Sequence, residues 1–275
     1  MELTNMALVD CTASPDIVGF YPEFVKANMH IVTPNKKANV LPWKDYNALM
    51  ELLRSWQKYF LYEANVGAGL PIISTLQDLI ASGDTIHKID GIFSGTMSYL
   101  FNNYDGTRPF SELVRDAHTK AFTEPDPRDD LSGIDVARKL LILARQLGSK
   151  MELDDIRVET LVPKKLRTGG FSEAFFERFA SFDAEMQHRA AEARSRNMVL
   201  RYVGSLSDGK ASAGLQEVPS THPLGSTKGS DNIIVFTTER YHNTPLVVQG
   251  PGAGADVTAM GVFSDILKLL HYLPM

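Results

Sequence analysis

The sequence predicts an α/β segment with a parallel sheet, followed by a longer α+β region. Three observations carry this. Residues 1–65 alternate short apolar runs with stretches of helical spacing, the pattern of a parallel sheet with crossover helices. The texture changes at Val66, where Gly67-Ala68-Gly69-Leu70-Pro71 interrupts the alternation. Four strand-like runs then crowd into residues 200–249, with long helices before and after them.

Met6 to Asp10 reads as a buried strand, and Cys11 to Pro15 as a turn into a helix from Asp16 to Asn28 with Pro22 near its middle. His30 to Val32 is a short strand. Lys44 to Lys58 places Leu49, Leu52, Leu53 and Trp56 on one helical side, and Tyr59 to Asn65 is strand-like. Pro71 to Ser82 reads as a helix that starts on a proline and closes on Gly83. Ile86 to Phe93 is a strand; Phe110 to Lys120, Asp135 to Leu147 and Phe171 to Asn197 are helices. Leu200 to Leu206, Ala211 to Val218, Ile233 to Glu239 and Leu246 to Gln249 are strands. A second Gly-rich turn, Gly250 to Gly254, leads to a closing helix from Asp256 to Tyr272.

Composition excludes several classes. The chain has 275 residues, 44% apolar and 22% charged, as expected of a globular protein of one large or two modest domains. A net charge of -5 argues against a general nucleic-acid binder, which needs a basic face. The single cysteine, Cys11, excludes a disulfide framework or a Cys-rich zinc site and fits a reducing cytoplasm. No run approaches the ~18 apolar residues of a membrane span, and the first ten residues lack the basic and apolar regions of a secretory leader. The seven histidines, at 30, 87, 118, 188, 222, 242 and 271, show no metal-ligand spacing and read as structural or surface residues.

The densest polar cluster runs from Thr123 to Lys139. Two prolines, Pro125 and Pro127, restrain its acidic loop. In the helix that follows, Val136, Leu140, Leu143 and Leu147 share one face, with Arg138 and Arg145 nearly opposite, toward solvent. Asp135 and Lys139 are four apart and therefore neighbours at the flank of the apolar stripe. Desolvation at such a flank favours the neutral amine and suits a lysine to proton exchange. The same residues also permit a plainer reading: Ser132 with Asp135 as a relaxed capping box, and Asp135–Lys139 as an exposed ion pair. Lys36 and Lys37 follow a strand, where open α/β sheets bind ligands, or else they are solvated charges. Thr12 and Ser14 end an earlier strand, as ligand contacts or as helix caps. Glu63 with the Gly67–Leu70 loop offers a carboxylate and inward-turning carbonyls of the kind hard cations favour, or is simply a structural turn.

In order, Val9-Asp10-Cys11-Thr12, Thr33-Pro34-Asn35-Lys36-Lys37-Ala38, Asn65-Val66-Gly67-Ala68-Gly69-Leu70-Pro71 and Gly91-Ile92-Phe93-Ser94-Gly95-Thr96-Met97-Ser98-Tyr99 closely resemble homoserine dehydrogenase. The run from Thr123 to Arg145 resembles that family's most specific signature. Asn65 and Leu140-Leu141-Ile142-Leu143-Ala144-Arg145 are similar to the dehydrogenase half of bifunctional aspartokinase–homoserine dehydrogenases.

The resemblance implies a partial Rossmann-like parallel sheet followed by an α+β catalytic and dimerisation domain. Residues 1–65 would be the nucleotide-binding segment, 66–245 the catalytic and dimerisation domain, and 246–275 a strand and helix returning to the nucleotide-binding domain. It implies interconversion of L-aspartate 4-semialdehyde and L-homoserine with NADP or NAD. Lys139 would be the proton donor and acceptor, assisted by Lys36. Glu124 and Asp135 would hold the substrate ammonium with Asp130 in support, and Thr96 would touch substrate. Thr12, Ser14, Lys36 and Gly254 would meet the cofactor. Glu63 with the carbonyls of Val66, Ala68 and Leu70 would hold a monovalent cation, sodium or potassium. A homodimer, a fused or lost aspartokinase, and no nucleic-acid or membrane partner complete the expectation.

Two departures stand out. The family's opening strand and Gly-x-Gly-x-x-Gly turn are absent, which predicts a chain truncated within its nucleotide domain and impaired in turnover; the alternative is a non-catalytic remnant that dimerises or binds amino acids. Ala121-Phe122 replaces the family's Gly and Tyr, so any need for positive φ at 121 would be met by an alanine.

Overall fold

A computed structural model describes residues 5–273. Its strands are β1 (Met6–Val9), β2 (Met29–Val32), β3 (Phe60–Leu61), β4 (Ile86–Ile92), β5 (Arg157–Val158), β6 (Met198–Ser207), β7 (Lys210–Pro219), β8 (Asp231–Thr238) and β9 (Leu246–Pro251). Its α-helices are α1 (Tyr21–Lys26), α2 (Trp43–Ser55), α3 (Ile72–Ala81), α4 (Gly95–Asn103), α5 (Phe110–Thr119), α6 (Pro127–Leu131), α7 (Ile134–Gln146), α8 (Ala174–Phe179), α9 (Asp183–Ser195), α10 (Pro223–Ser226) and α11 (Ala255–Tyr272). They form two compact units. The first comprises the chain up to Gly83, Leu141–Asp155, and the chain from Pro251 onward. The second comprises Asp84–Leu140 and Ile156–Gly250. Among the described residues no helix is long and apolar enough to cross a membrane.

The first unit is built on a parallel sheet in the order β1-β2-β3, with Met6 opposite Met29 and Ile31 opposite Phe60. β2 is central, and its successive side chains point to opposite faces. Ile31 packs with Val18, Tyr21, Val25, Leu49 and Leu53 from the helices on one side. Val32 packs with Val262 and Leu269 of α11 on the other. A sheet covered on both faces is the setting expected of parallel strands.

The second unit holds a six-stranded sheet in the order β5-β7-β6-β4-β8-β9. β6 and β7 form an antiparallel hairpin across Asp208-Gly209, and β4 pairs antiparallel with both β6 and β8. Gly91 of β4 lies directly opposite Gly204 of β6. A Cβ at Gly91 would meet the Phe93 ring at 2.8 Å, and one at Gly204 would meet it at 2.9 Å, so this glycine pair makes room for that buried ring. Arg201 is buried in the same sheet and donates to the carbonyls of Phe101, Leu200, Leu224 and Gly225. Burial pulls its pKa down to about 10.

Several elements differ from the sequence expectation, for physical reasons. The predicted helix from Asp16 to Asn28 is a 3-10 turn over Asp16–Phe20 followed by α1, because Pro22 has no N–H to donate and sits in a first turn rather than mid-helix. The strand expected over Tyr59–Asn65 shrinks to Phe60–Leu61 and then winds into a 3-10 turn over Glu63–Asn65. The helix expected over Phe171–Asn197 breaks into α8, a 3-10 turn and α9. Arg145, expected in solvent, is buried at 6% exposure. Leu147, expected on the apolar face, lies beyond the helix and is exposed. Arg145 donates to the carbonyls of Asn39 (2.8 Å) and Met151 (3.3 Å), with its guanidinium 4.5 Å from the Tyr46 ring centroid. These contacts replace its hydration.

Candidate functional site

In the second unit the site is assembled on α4, the acidic loop, α6 and α7. Gly133 makes the turn between α6 and α7 at φ +75, and any Cβ there would collide with the Tyr202 hydroxyl. That hydroxyl in turn donates to the carbonyl of Glu159 (2.6 Å). The turn fixes where α7 begins, and so which way Asp135 and Lys139 point. Lys139 is only 8% exposed. Its ammonium donates to the carbonyl of Phe93 (2.7 Å) and forms an ion pair with Asp135 Oδ2 (2.8 Å), whose side chain is 40% exposed. An ammonium carries three N–H donors, so this seat engages two of them.

Asp130 ties the rest of the cluster together. Its Oδ1 accepts from the Thr96 hydroxyl (2.8 Å) and its Oδ2 from the main-chain N–H of Glu124 (2.8 Å). Burial pushes its carboxyl up. The hydrogen bonds from Glu124 and Thr96 oppose this, the charges of Glu124 and Asp135 reinforce it, and the net shift is upward. Thr96 stands in the first turn of α4, capped by Ser94, whose Oγ accepts from the Met97 N–H (3.2 Å). The Thr96 hydroxyl also lies 2.8 Å from the carbonyl of Phe122. Ala121 has φ +56, the left-handed conformation that a glycine would adopt at less cost. The Phe122 ring is exposed and packs 4.6 Å from Tyr99. Asp126, N-cap of α6, holds Arg128 in a two-oxygen grip, and that guanidinium keeps the Asp126 carboxyl below the usual range. A seated lysine paired with Asp135, in the same unit as the Asp130 latch, is a donor set that can bind an ammonium-bearing substrate and exchange a proton with it.

In the first unit the candidate residues gather at the carboxyl ends of the parallel strands. After β1, the Thr12 N–H donates to Asp10 Oδ1 (2.8 Å) and the Asp16 N–H to the Ser14 hydroxyl (3.1 Å). The Ser14 hydroxyl thus closes a local turn, while the N-cap of the 3-10 turn that follows is Pro15, with no side-chain cap. Asp10, which the sequence reading passed over, is buried. It accepts from the Tyr21 hydroxyl (2.6 Å) and from Asn35 Nδ2 (3.1 Å). Burial alone would raise its pKa, but the hydrogen bonds from Tyr21, Thr12 and Asn35 outweigh that and hold it below its ordinary value. After β2, Lys36 is half-buried on a loop held by Asn39 and Asn65: Asn39 Nδ2 donates to Asn65 Oδ1 (2.9 Å), and Asn65 Nδ2 to the Thr33 carbonyl (2.9 Å). Hydroxyls, a lysine and Gly254 (φ +122, just before α11) are groups suited to a phosphate- and ribose-bearing ligand.

After β3, Glu63 is 5% exposed. It accepts from the N–H groups of Ile73 (2.7 Å) and Ser74 (3.0 Å) at the start of α3, and from the Lys268 ammonium (3.0 Å). Its charge is therefore already matched within the chain. The carbonyl of Leu70 accepts from Ile72 (2.8 Å), and that of Ala68 lies where a Cβ on Gly261 would meet it at 2.8 Å. Among the described residues, no cluster of three or more His, Cys, Asp or Glu side chains is arranged to hold a metal ion.

Comparison with known proteins matches two consecutive stretches of the chain. Residues 71–267 match the homoserine dehydrogenase family, and residues 2–63 match the NAD binding domain of homoserine dehydrogenase. The chain is 51% identical, over 98% of its length, to bifunctional aspartokinase/homoserine dehydrogenase 1 (chloroplastic) of Arabidopsis thaliana, and covers 30% of that protein. It is 44% identical to homoserine dehydrogenase of Schizosaccharomyces pombe, covering 96% of this chain and 72% of that one. A solved structure of a putative homoserine dehydrogenase from Archaeoglobus fulgidus superposes with a TM-score of 0.78 at 27% identity, covering 96% of this chain and 74% of the other. The chain thus spans about a third of the length of its bifunctional relatives. It belongs to the homoserine dehydrogenase family.

Proposed function

We propose, from this membership and from the seat of Lys139, that the chain interconverts L-aspartate 4-semialdehyde and L-homoserine with NADPH or NADH. The observation that carries the reading is a buried lysine held between Asp135 and the Phe93 carbonyl, in the same unit as the latch formed by Asp130, Glu124 and Thr96. A nicotinamide cofactor held at Thr12, Ser14, Lys36 and Gly254 would supply the hydride for the aldehyde carbon, or accept it in reverse. Lys139 gives a proton to the aldehyde oxygen as it becomes a hydroxyl, and recovers that proton in the other direction. Glu124 and Asp135 grip the substrate ammonium, Asp130 fixes Glu124 through its main chain, and Thr96 contacts substrate. Lys36 assists at the reacting oxygen and, with Thr12, Ser14 and Gly254, binds cofactor. In the finer part of the reading, a sodium or potassium ion binds at the carbonyls of Val66, Ala68 and Leu70 and braces their loop, with Glu63 exchanging its present partner Lys268 for the ion. The free, exposed Cys11 suits a reducing compartment such as the cytoplasm, and the sheet of the second unit is the proposed homodimer surface.

The test is consumption of NADPH absorbance on addition of aspartate 4-semialdehyde. Turnover by the wild-type protein supports the reading. Saturable binding of homoserine without turnover favours a non-catalytic amino-acid-binding module instead.

A further inference from the structure

We infer that Asn232 is a positioning residue for Lys139, acting through the main-chain carbonyl of Phe93. The inference rests on the proposed role of Lys139. The ladder between β4 and β8 ends at Ile92 opposite Ile233, so the next step of the register sets Phe93 opposite Asn232. Beyond that end the Asn232 side chain takes over: its Nδ2 donates to the Phe93 carbonyl (3.1 Å). This is the oxygen that accepts from Lys139 Nζ at 2.7 Å. Two donors on one carbonyl fix its direction, and the Phe93 ring above Gly91 and Gly204 fixes the residue that bears it.

The cost of this arrangement argues for a purpose. Asn232 is fully buried in a strand whose neighbours Ile233 and Val235 belong to the apolar core. Its Oδ1 has no hydrogen-bond partner among the described residues. A carbonyl can only accept, so the amide nitrogen must face Phe93 and turning the amide over would not pair Oδ1 there. A lone buried acceptor is destabilising, and an apolar side chain of similar size would avoid that loss. The amide is retained at that cost beside the one carbonyl that seats the lysine.

The test uses Asn232→Leu and Asn232→Ala in the intact chain, neither of which carries a side-chain donor, with two readouts. Amine acylation followed by peptide mass spectrometry measures the reactivity of Lys139 relative to Lys88 and Lys268. Steady-state kinetics separates kcat from KM. Loss of the second donor frees the carbonyl, so we expect Lys139 acylation to rise severalfold while the reference lysines keep their rates. A displacement of about 1 Å lowers kcat about a hundredfold, with KM for homoserine nearly unchanged. Unchanged Lys139 acylation in either folded variant overturns the inference; if one variant fails to fold, the other decides. The acylation readout needs no turnover, so it stands even where the dehydrogenase reading fails for want of activity in the wild type.

Discussion

Asp130→Asn separates the binding and stability roles of the latch. The asparagine keeps an oxygen for the Thr96 hydroxyl, but its amide then turns an N–H toward the N–H of Glu124, where the carboxylate now accepts at 2.8 Å. Losing that charge-assisted bond costs about 1.5–3 kcal/mol, partly offset because no charge need be desolvated, so the net loss near neutral pH is about 1 kcal/mol. The pH dependence has a definite sign. Wild-type Asp130 has its folded-state pKa raised above the ordinary 3.8, first by burial and then by the charges of Glu124 and Asp135. The folded protein therefore holds this proton more tightly than the unfolded chain does. The stability it contributes is fully present below the ordinary value and is lost as pH rises through the raised one. Urea melts between about pH 4 and pH 7 should show the wild type's advantage over Asp130→Asn narrowing as pH rises. With Glu124 no longer fixed, KM for homoserine should rise about tenfold, equivalent to ~1.4 kcal/mol, with a smaller effect on kcat. An advantage that widens with pH, together with an unchanged KM, would refute the reasoning.

Arg145→Met should lower the free energy of unfolding in urea by about 2–4 kcal/mol, because the carbonyls of Asn39 and Met151 lose a buried donor and Tyr46 loses its cation; a loss under about 1 kcal/mol would show that those contacts are incidental. Gly133→Ala forces a Cβ onto the Tyr202 hydroxyl at positive φ and should cost about 3 kcal/mol or more in a thermal or denaturant melt. Lys268→Met leaves Glu63 buried without its cation and should cost about 3–5 kcal/mol in the same assay, whereas a neutral result would mean the α3 N–H groups alone satisfy that carboxylate.

Much of this architecture can be read from the residues. β1 and β2 are largely apolar runs bounded by turn residues, and the apolar face of α7 follows from Val136, Leu140 and Leu143, all buried. The pairing of Asp135 with Lys139 follows from helical spacing. The conformational demand at position 121 is visible once a glycine is expected there, and the backbone does turn left-handed. Other features depend on tertiary partners that no local pattern encodes. Arg145 looks solvent-facing by periodicity, yet the carbonyls of Asn39 and Met151 draw it inward. The carbonyl seating Lys139 belongs to the main chain of an apolar residue, so no side-chain motif could announce it. Asp10, Asn35 and Asn232 contribute through hydrogen bonds made across sequence separations of 11 or more residues, and each passes for an ordinary loop or strand polar residue when read alone.

The central claim is that Lys139, clasped by Asp135 and the Phe93 carbonyl, moves the proton that accompanies hydride transfer. Lys139→Met preserves the side chain's length and leaves Asp135 near water and the Phe93 carbonyl bonded to Asn232, so the fold should tolerate it. Single-turnover reduction of aspartate 4-semialdehyde, with NADPH deuterated at the transferring position and both proteins saturated with substrate, is the direct measurement. The account predicts a rate about 10²–10⁴-fold lower in Lys139→Met with homoserine affinity retained; a rate within severalfold of wild type in a folded variant would contradict it.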